Sequence, residues 1–118
     1  MVKYENQLDA VFTALAHPAR RAMLAQLSKG DATVGELAQP FDMSLPAITK
    51  HLKVLERANL ISRSKSAQWR RCRLEAAPLK TASSWIEEQR KVWEARLDRL
   101  EDCLQIMEKE GGRNDDIE

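Results

Sequence analysis

Between Ser44 and Arg73 the chain carries eight basic residues, Lys50, Lys53, Arg57, Arg63, Lys65, Arg70, Arg71 and Arg73, against one acid, Glu56. The stretch is +7, residues 1–43 are −1 and residues 74–118 are −5, in a chain whose net charge is +1. Cations gathered this way in a near-neutral chain are an electrostatic footprint for a polyanion, and nucleic acid is the first candidate. The chemistry this implies is recognition: ammonium and guanidinium groups grip phosphates or reach guanine acceptors. Catalysis finds no support. No histidine pair, Ser-His-Asp set or Gly-rich phosphate loop is evident in the sequence, and the carboxylates after Pro78 read as i, i+4 partners for Lys and Arg. Neither an enzyme nor a cofactor is expected.

The elements that must position these cations follow from periodicity and breakers. Leu8, Val11, Phe12 and Leu15 fall at i, i+3, i+4, i+7 and predict a helix from about Glu5 to Ala16. His17-Pro18 breaks it, and Pro18 suits the first turn of a second helix with Ala22, Met23, Ala25 and Leu27 as its core, ended by Lys29-Gly30. Thr33 and Glu36 form a capping box for a short helix that stops at Gln39-Pro40. Ser44 caps a longer helix, with Pro46 in its first turn and Asn59 taking the left-handed turn after Ala58. Leu60 to Ser64 and Gln68 to Leu74 read as a β-hairpin around Lys65-Ser66-Ala67, with Arg70, Cys72 and Leu74 alternating against Trp69, Arg71 and Arg73. Pro78 opens a last helix with no breaker before Gly111-Gly112, and the tail GGRNDDIE is expected to fray.

A short helix, a tight turn and a basic helix make a helix-turn-helix, and the hairpin after it is a wing. The expected fold is therefore mainly α with a β-hairpin wing: a winged helix-turn-helix over residues 5–76, a long C-terminal dimerisation helix over 77–110 in the same domain, and a frayed 111–118. On a helical wheel of the Ser44 helix, Ile48, Leu52 and Leu55 cluster within about 60° and form the core face. Opposite lie Pro46, Lys50, Lys53 and Arg57, flanked by Ala47 and Thr49. Small residues at the helix start let it approach base edges, and Ser44 with the amides around it can hold a phosphate. On the hairpin, Arg63 and Lys65 near the tip reach along the backbone or into a minor groove, and Arg70 and Arg71 do the same, although alternation puts Arg70 on the Cys72 face, which leaves one of these last two to brace the domain. Trp69 packs on the hairpin's aliphatic stems or stacks on a base. His51 lies at the core boundary and His17 serves a turn. Arg20-Arg21 either meets phosphate or forms a structural salt bridge.

From Pro78 to Lys109 the last helix would span about 48 Å at about 1.5 Å per residue, longer than so small a domain can cover. Leu79, Ala82, Ile86, Trp93, Leu97, Leu100, Leu104 and Met107 nevertheless form one stripe along it. A second copy of the chain is the simplest cover, with Leu8 and Phe12 of the first helix adding to the interface; the alternative is that Trp85 and Trp93 pack inside the monomer. Two recognition helices related by a two-fold axis predict a pseudo-palindromic operator. One domain is expected from 118 residues; no run reaches a membrane span, and the N-terminus lacks the apolar core of a signal peptide. Cys72 and Cys103 read as reduced cytoplasmic thiols, with a thiol switch at either as an alternative.

LAHPARRAMLAQL, TVGELAQPFDMSLPAITKHLKVLERANLISR and WRRCRLEAAPL together resemble the arsenical-resistance-repressor (ArsR/SmtB) family, from roughly Leu8 to Leu104. The resemblance implies a homodimeric winged-helix repressor that leaves its operator when an inducer binds. It also marks departures. Family metal sensors carry a cysteine pair where this chain has Glu36-Leu37-Ala38-Gln39-Pro40, and the alternative site on the last helix needs histidines, of which none follows His51. No metal is therefore expected. His17 stands where relatives commonly have Asp, which leaves the cap of the second helix open. The leading reading is a sequence-specific DNA-binding regulator, a homodimeric repressor; the other is a winged-helix interaction module for an acidic partner. Neither the operator sequence nor an inducer is legible.

Overall fold

The computed structural model describes residues 2–64 and 71–117, with side chains described over 5–64 and 71–111. The elements run α1 (Val2–Leu15), α2 (Pro18–Leu27), β1 (Ala32–Thr33), α3 (Val34–Ala38), α4 (Leu45–Arg57), β2 (Ile61–Arg63), β3 (Arg71–Leu74) and α5 (Ala77–Ile117). The chain divides into two units, Met1–Ser83 and Ser84–Glu118.

In the first unit, apolar residues at helical spacing meet around α4. Ile48, Leu52 and Leu55 are fully buried, as the wheel predicts, and are joined by Val11 and Ala14 of α1, Met23 of α2, Leu37 of α3 and Leu60 before β2. Truncating any one of the larger of these leaves a cavity, at about 2–5 kcal/mol each. Ala82, in the second turn of α5, is also in this core. On α2 the buried face is Ala19, Met23, Leu24 and Leu27; Ala22 and Ala25, expected inside, are exposed. Residues three and four apart share a face, and the larger Leu24, which the pattern passed over, sets the phase.

Sheet order is β1-β3-β2, antiparallel throughout, with Cys72 opposite both Ala32 and Arg63. The ladder continues where Ser64 N–H donates to the Arg71 carbonyl (2.9 Å) and Glu75 N–H to the Leu60 carbonyl (2.8 Å). The expected hairpin is thus a three-stranded sheet. Strand β1 is only two residues long, and its existence follows from a cap. An N-cap residue is extended, so Thr33 (φ −77°, ψ 163°) serves α3 and pairs with Arg71 at once.

The caps hold as the residue types require. Thr33 and Glu36 make the full capping box, and Ser44 Oγ accepts from Ala47 N–H at 3.3 Å. Asn59 has φ 58°, and its N–H reaches the Glu56 carbonyl. Gly30, at φ 155°, takes the conformation that ends the α2 exit turn; α2 itself ends at Leu27, so Lys29 lies beyond its last turn. At the other end of the chain α5 continues through Gly111 and Gly112 to Ile117, against the stop expected there. Glycine weakens a helix by about 1 kcal/mol relative to alanine but does not block its hydrogen bonds, as proline does. In the second unit every described side chain, Ser84 to Gly111, is exposed.

Candidate nucleic-acid interface

Helix α4 presents its polar face as the wheel requires. Ser44, Pro46, Lys50, Lys53 and Arg57 are exposed, and Ala47 and Thr49 are half-buried on the flanks. Leu45, Pro46, Thr49, Lys50 and Lys53 line an open groove of about 400 Å³, with no acidic side chain among them. Leu45 escaped sequence reasoning. The wheel sets it with the core residues, yet it is 60% exposed because the capped first turn of α4 extends past the core. An apolar side chain there is suited to a thymine methyl group. The signal was present in Ser44-Leu45-Pro46, a cap that places Leu45 first in the helix.

Two side chains from α2 hold α1 and α4 in place. Arg20 donates from Nε to the Ala14 carbonyl (2.8 Å) and from Nη2 to the Thr13 carbonyl (2.9 Å), while Arg21 Nη1 donates to the Leu15 carbonyl (2.6 Å). Together they satisfy the carbonyls left open at the end of α1. Among the described residues the pair meets backbone carbonyls and not the acidic partner of the salt bridge considered for it. Arg20 Nη1 also lies 3.2 Å from His51 Nδ1 on α4, and since guanidinium only donates, His51 Nδ1 is the acceptor. His17 caps α2, its Nδ1 accepting from Ala19 N–H at 3.1 Å, and its ring lies 4.3 Å from that of His51. Imidazole thus replaces the usual carboxylate or hydroxyl of a cap. Burial, then His17 and Arg20, push the His51 pKa below the usual histidine value, which favours the neutral ring this geometry needs.

The wing has two faces. On the outer one Ser62, Ser64, Arg71 and Arg73 line a polar cleft of about 350 Å³ with Asp31 and the stem of Arg63. Arg71 is exposed, and Arg73 Nε reaches Asp31 at 3.4 Å. Arg63, expected to reach for DNA, instead braces the domain: its Nε lies 2.7 Å from Glu56 Oε1, tying β2 to α4. The contact is one of charge, without hydrogen-bond alignment, and Arg63 Nε and Nη2 are both buried. Lys65, Trp69 and Arg70 lie outside the described residues. Cys72 is fully buried on the inner face, and burial pushes its thiol pKa up, away from the reactive thiolate, whereas Cys103 on α5 is exposed. Of the expected interface residues, Ile86, Trp93, Leu97, Leu100 and Leu104 are exposed; Phe12 is half-buried, and Leu8, 7% exposed, belongs to the core of its own protomer.

Helix α3, the turn after it and α4 form a helix-turn-helix, followed by the β2–β3 wing. Fold and surface define a winged helix-turn-helix DNA-binding transcriptional regulator. Comparison with known proteins agrees. A family profile described as a helix-turn-helix domain matches residues 15–63. The chain is 34% identical over 79 residues to the transcriptional repressor SdpR of Bacillus subtilis (strain 168), covering 67% of this chain and 88% of that protein. The crystal structure of the ArsR family transcriptional regulator RHA00566 matches with TM-score 0.72 and 46% identity, over 76% of this chain and 93% of that one. An ArsR-like transcriptional regulator from Rhodococcus sp. RHA1 matches at 0.70 and 29%, over 81% and 91%. The chain belongs to the ArsR family of transcriptional regulators, as its central motifs imply.

Proposed function

We propose that the protein is a cytoplasmic homodimeric repressor that occupies a pseudo-palindromic operator and blocks transcription from it. In this reading α4 enters the major groove with Leu45, Pro46 and Thr49 against base edges and Lys50, Lys53 and Arg57 on phosphates or guanine acceptors. Ser44 and the first amides of α4 receive a phosphate, and Arg71 and Arg73 lay the wing along the backbone. The observation that carries the reading is the acid-free groove on the outward face of a capped, Pro-opened helix. Repression is supported by the likeness to SdpR, itself a transcriptional repressor. Dimerisation is supported by the exposed apolar residues of α5 from Ile86 to Met107, which one protomer leaves uncovered.

The test is binding of the full chain to the DNA upstream of its own gene, compared with a random duplex at near-physiological salt. Preferential binding that is lost in Lys50→Ala/Lys53→Ala supports the proposal. Equal weak binding to both duplexes contradicts it and favours an acidic protein partner for the basic face.

A further inference from the structure

Leu45 is the first residue of α4, directly after the Ser44 cap, and is 60% exposed. The helix macrodipole favours an acid in a first turn, and α4 has none there. The turn carries Leu45, Pro46 and Ala47 instead, fixed by the 3.3 Å hydrogen bond from Ala47 N–H to Ser44 Oγ. Thr49 stands four residues after Leu45, and side chains four apart on a helix are neighbours. Leu45, Pro46 and Thr49 therefore form the N-terminal end of the groove that Lys50 and Lys53 continue. That end offers methyl and methylene groups and one hydroxyl, and no charge.

Which bases such a face can tell apart follows from its chemistry. In a major groove adenine is read by Asn or Gln and cytosine by Asp or Glu. Helix α4 contains no Asn or Gln, and its one acid, Glu56, lies in the last turn, 2.7 Å from Arg63 Nε. Lys50 suits guanine acceptors, while the Thr49 hydroxyl both donates and accepts and so meets either kind of base edge. Leu45 has no polar atom in its side chain. Taking it out of water is favourable when it meets an apolar group and gains nothing against a polar edge. The C5-methyl of thymine is the apolar group that base pairs display in the major groove. Cytosine methylated at C5 carries the same methyl at the same carbon, and uracil and plain cytosine lack it.

We infer that Leu45, with the Thr49 methyl beside it, reads a pyrimidine C5-methyl group, so that each half-site favours thymine at one position and takes 5-methylcytosine in its place over uracil or plain cytosine. The inference rests on the base-reading α4 proposed above and names the group that it reads. Because adenine has no reader on α4, exchanging a thymine·adenine pair for 5-methylcytosine·guanine keeps the contact that matters. Methylation of a cytosine at that position then strengthens a weak site.

The test uses full-length protein and a duplex selected from a random library, resynthesised with deoxyuridine for every thymidine. This removes the methyl groups and leaves every hydrogen-bonding group in place. One methyl lost from an apolar contact lowers affinity about fourfold, so two half-sites give about fifteenfold, read by fluorescence anisotropy. Restoring thymine one position at a time locates the contact. At that position 5-methylcytosine·guanine binds about fifteenfold tighter than cytosine·guanine when placed in both half-sites. Leu45→Ala, a substitution outside the core that leaves folding intact, binds the thymine duplex more weakly and distinguishes thymine from uracil by less than about twofold. Any change in duplex shape caused by uracil acts on both proteins alike, so the difference between them isolates the contact. Equal binding of the thymine and uracil duplexes by the wild-type chain overturns the inference, as does a loss of the same size in Leu45→Ala or equal binding of methylated and plain cytosine. Each of these leaves a base-reading α4 standing as long as the selected duplex is preferred to a random one. Equal binding of the selected thymine duplex and a random duplex overturns both.

Discussion

Removing Lys53 isolates the part of DNA binding that owes nothing to sequence. Its side chain is exposed on the face of α4 opposite Ile48, Leu52 and Leu55 and borders the groove beside Lys50. In a dimer Lys53→Ala deletes two cations. Each phosphate contact releases about 0.9 of a counterion, so the slope of log affinity against log salt becomes shallower by about 1.8. At about 0.15 M salt that release is worth about 1 kcal/mol per contact, so affinity drops by about 2 kcal/mol, roughly thirtyfold. Phosphates carry no sequence information, so operator and random duplex weaken by the same factor. Folding stays intact, since a surface substitution of this kind shifts stability by no more than about 0.5 kcal/mol. Fluorescence anisotropy of labelled operator and random duplexes, titrated from low to high salt, measures both slopes. An unchanged slope, or a loss confined to the operator, refutes the placement of Lys53 on phosphate.

Three further outcomes follow from the same geometry. Thr49→Ala is expected to change which bases are preferred while leaving the salt slope unaltered, read by comparing binding to operators varied one base pair at a time; an unchanged preference removes Thr49 from base contact. Leu52→Ala, at the centre of the core, is expected to cost about 2–5 kcal/mol in urea denaturation, and a loss below about 1 kcal/mol would mean that α4 is not the core helix. The third concerns pH. His51 has a folded pKa below its unperturbed value of 6.5, so the unfolded chain binds its proton first. Its contribution is complete above about pH 6.5 and is lost as pH falls through the lowered folded value, where a proton on Nδ1 would abolish the Arg20 contact. Urea midpoints should fall on acidification below pH 6.5, and less so in His51→Gln; equal falls in the two proteins would show that His51 is not the sensitive group.

Most of this architecture was legible because its signals are local. The capping residues Thr33, Glu36, Ser44 and Asn59 each act within a few residues of themselves, and each is found where its chemistry places it. The recognition face was legible because a helix repeats regularly, so the burial of Ile48, Leu52 and Leu55 fixes where Lys50 and Lys53 point. What the sequence hid depends on distance or on ends. Strand β1 needs β3, some forty residues later, to exist at all, and Arg20 finds His51 across 31 positions. Leu45 went unnoticed because a wheel has no ends, while α4 outruns the core at its start. The phase of α2 depended on choosing Leu24 over two alanines, a choice made by packing volume. Arg63 was drawn toward Glu56, a residue on another element, and so braces the wing.

The central claim is that a two-fold pair of α4 helices reads DNA sequence. Selection of bound duplexes from a random double-stranded library, followed by sequencing, tests it directly. The account predicts enrichment of a two-fold-symmetric motif whose half-sites lie about one helical turn, roughly 10 bp, apart, and loss of that enrichment in Lys50→Ala/Lys53→Ala. A bound pool with no motif, or one whose enrichment survives that double substitution, would contradict it.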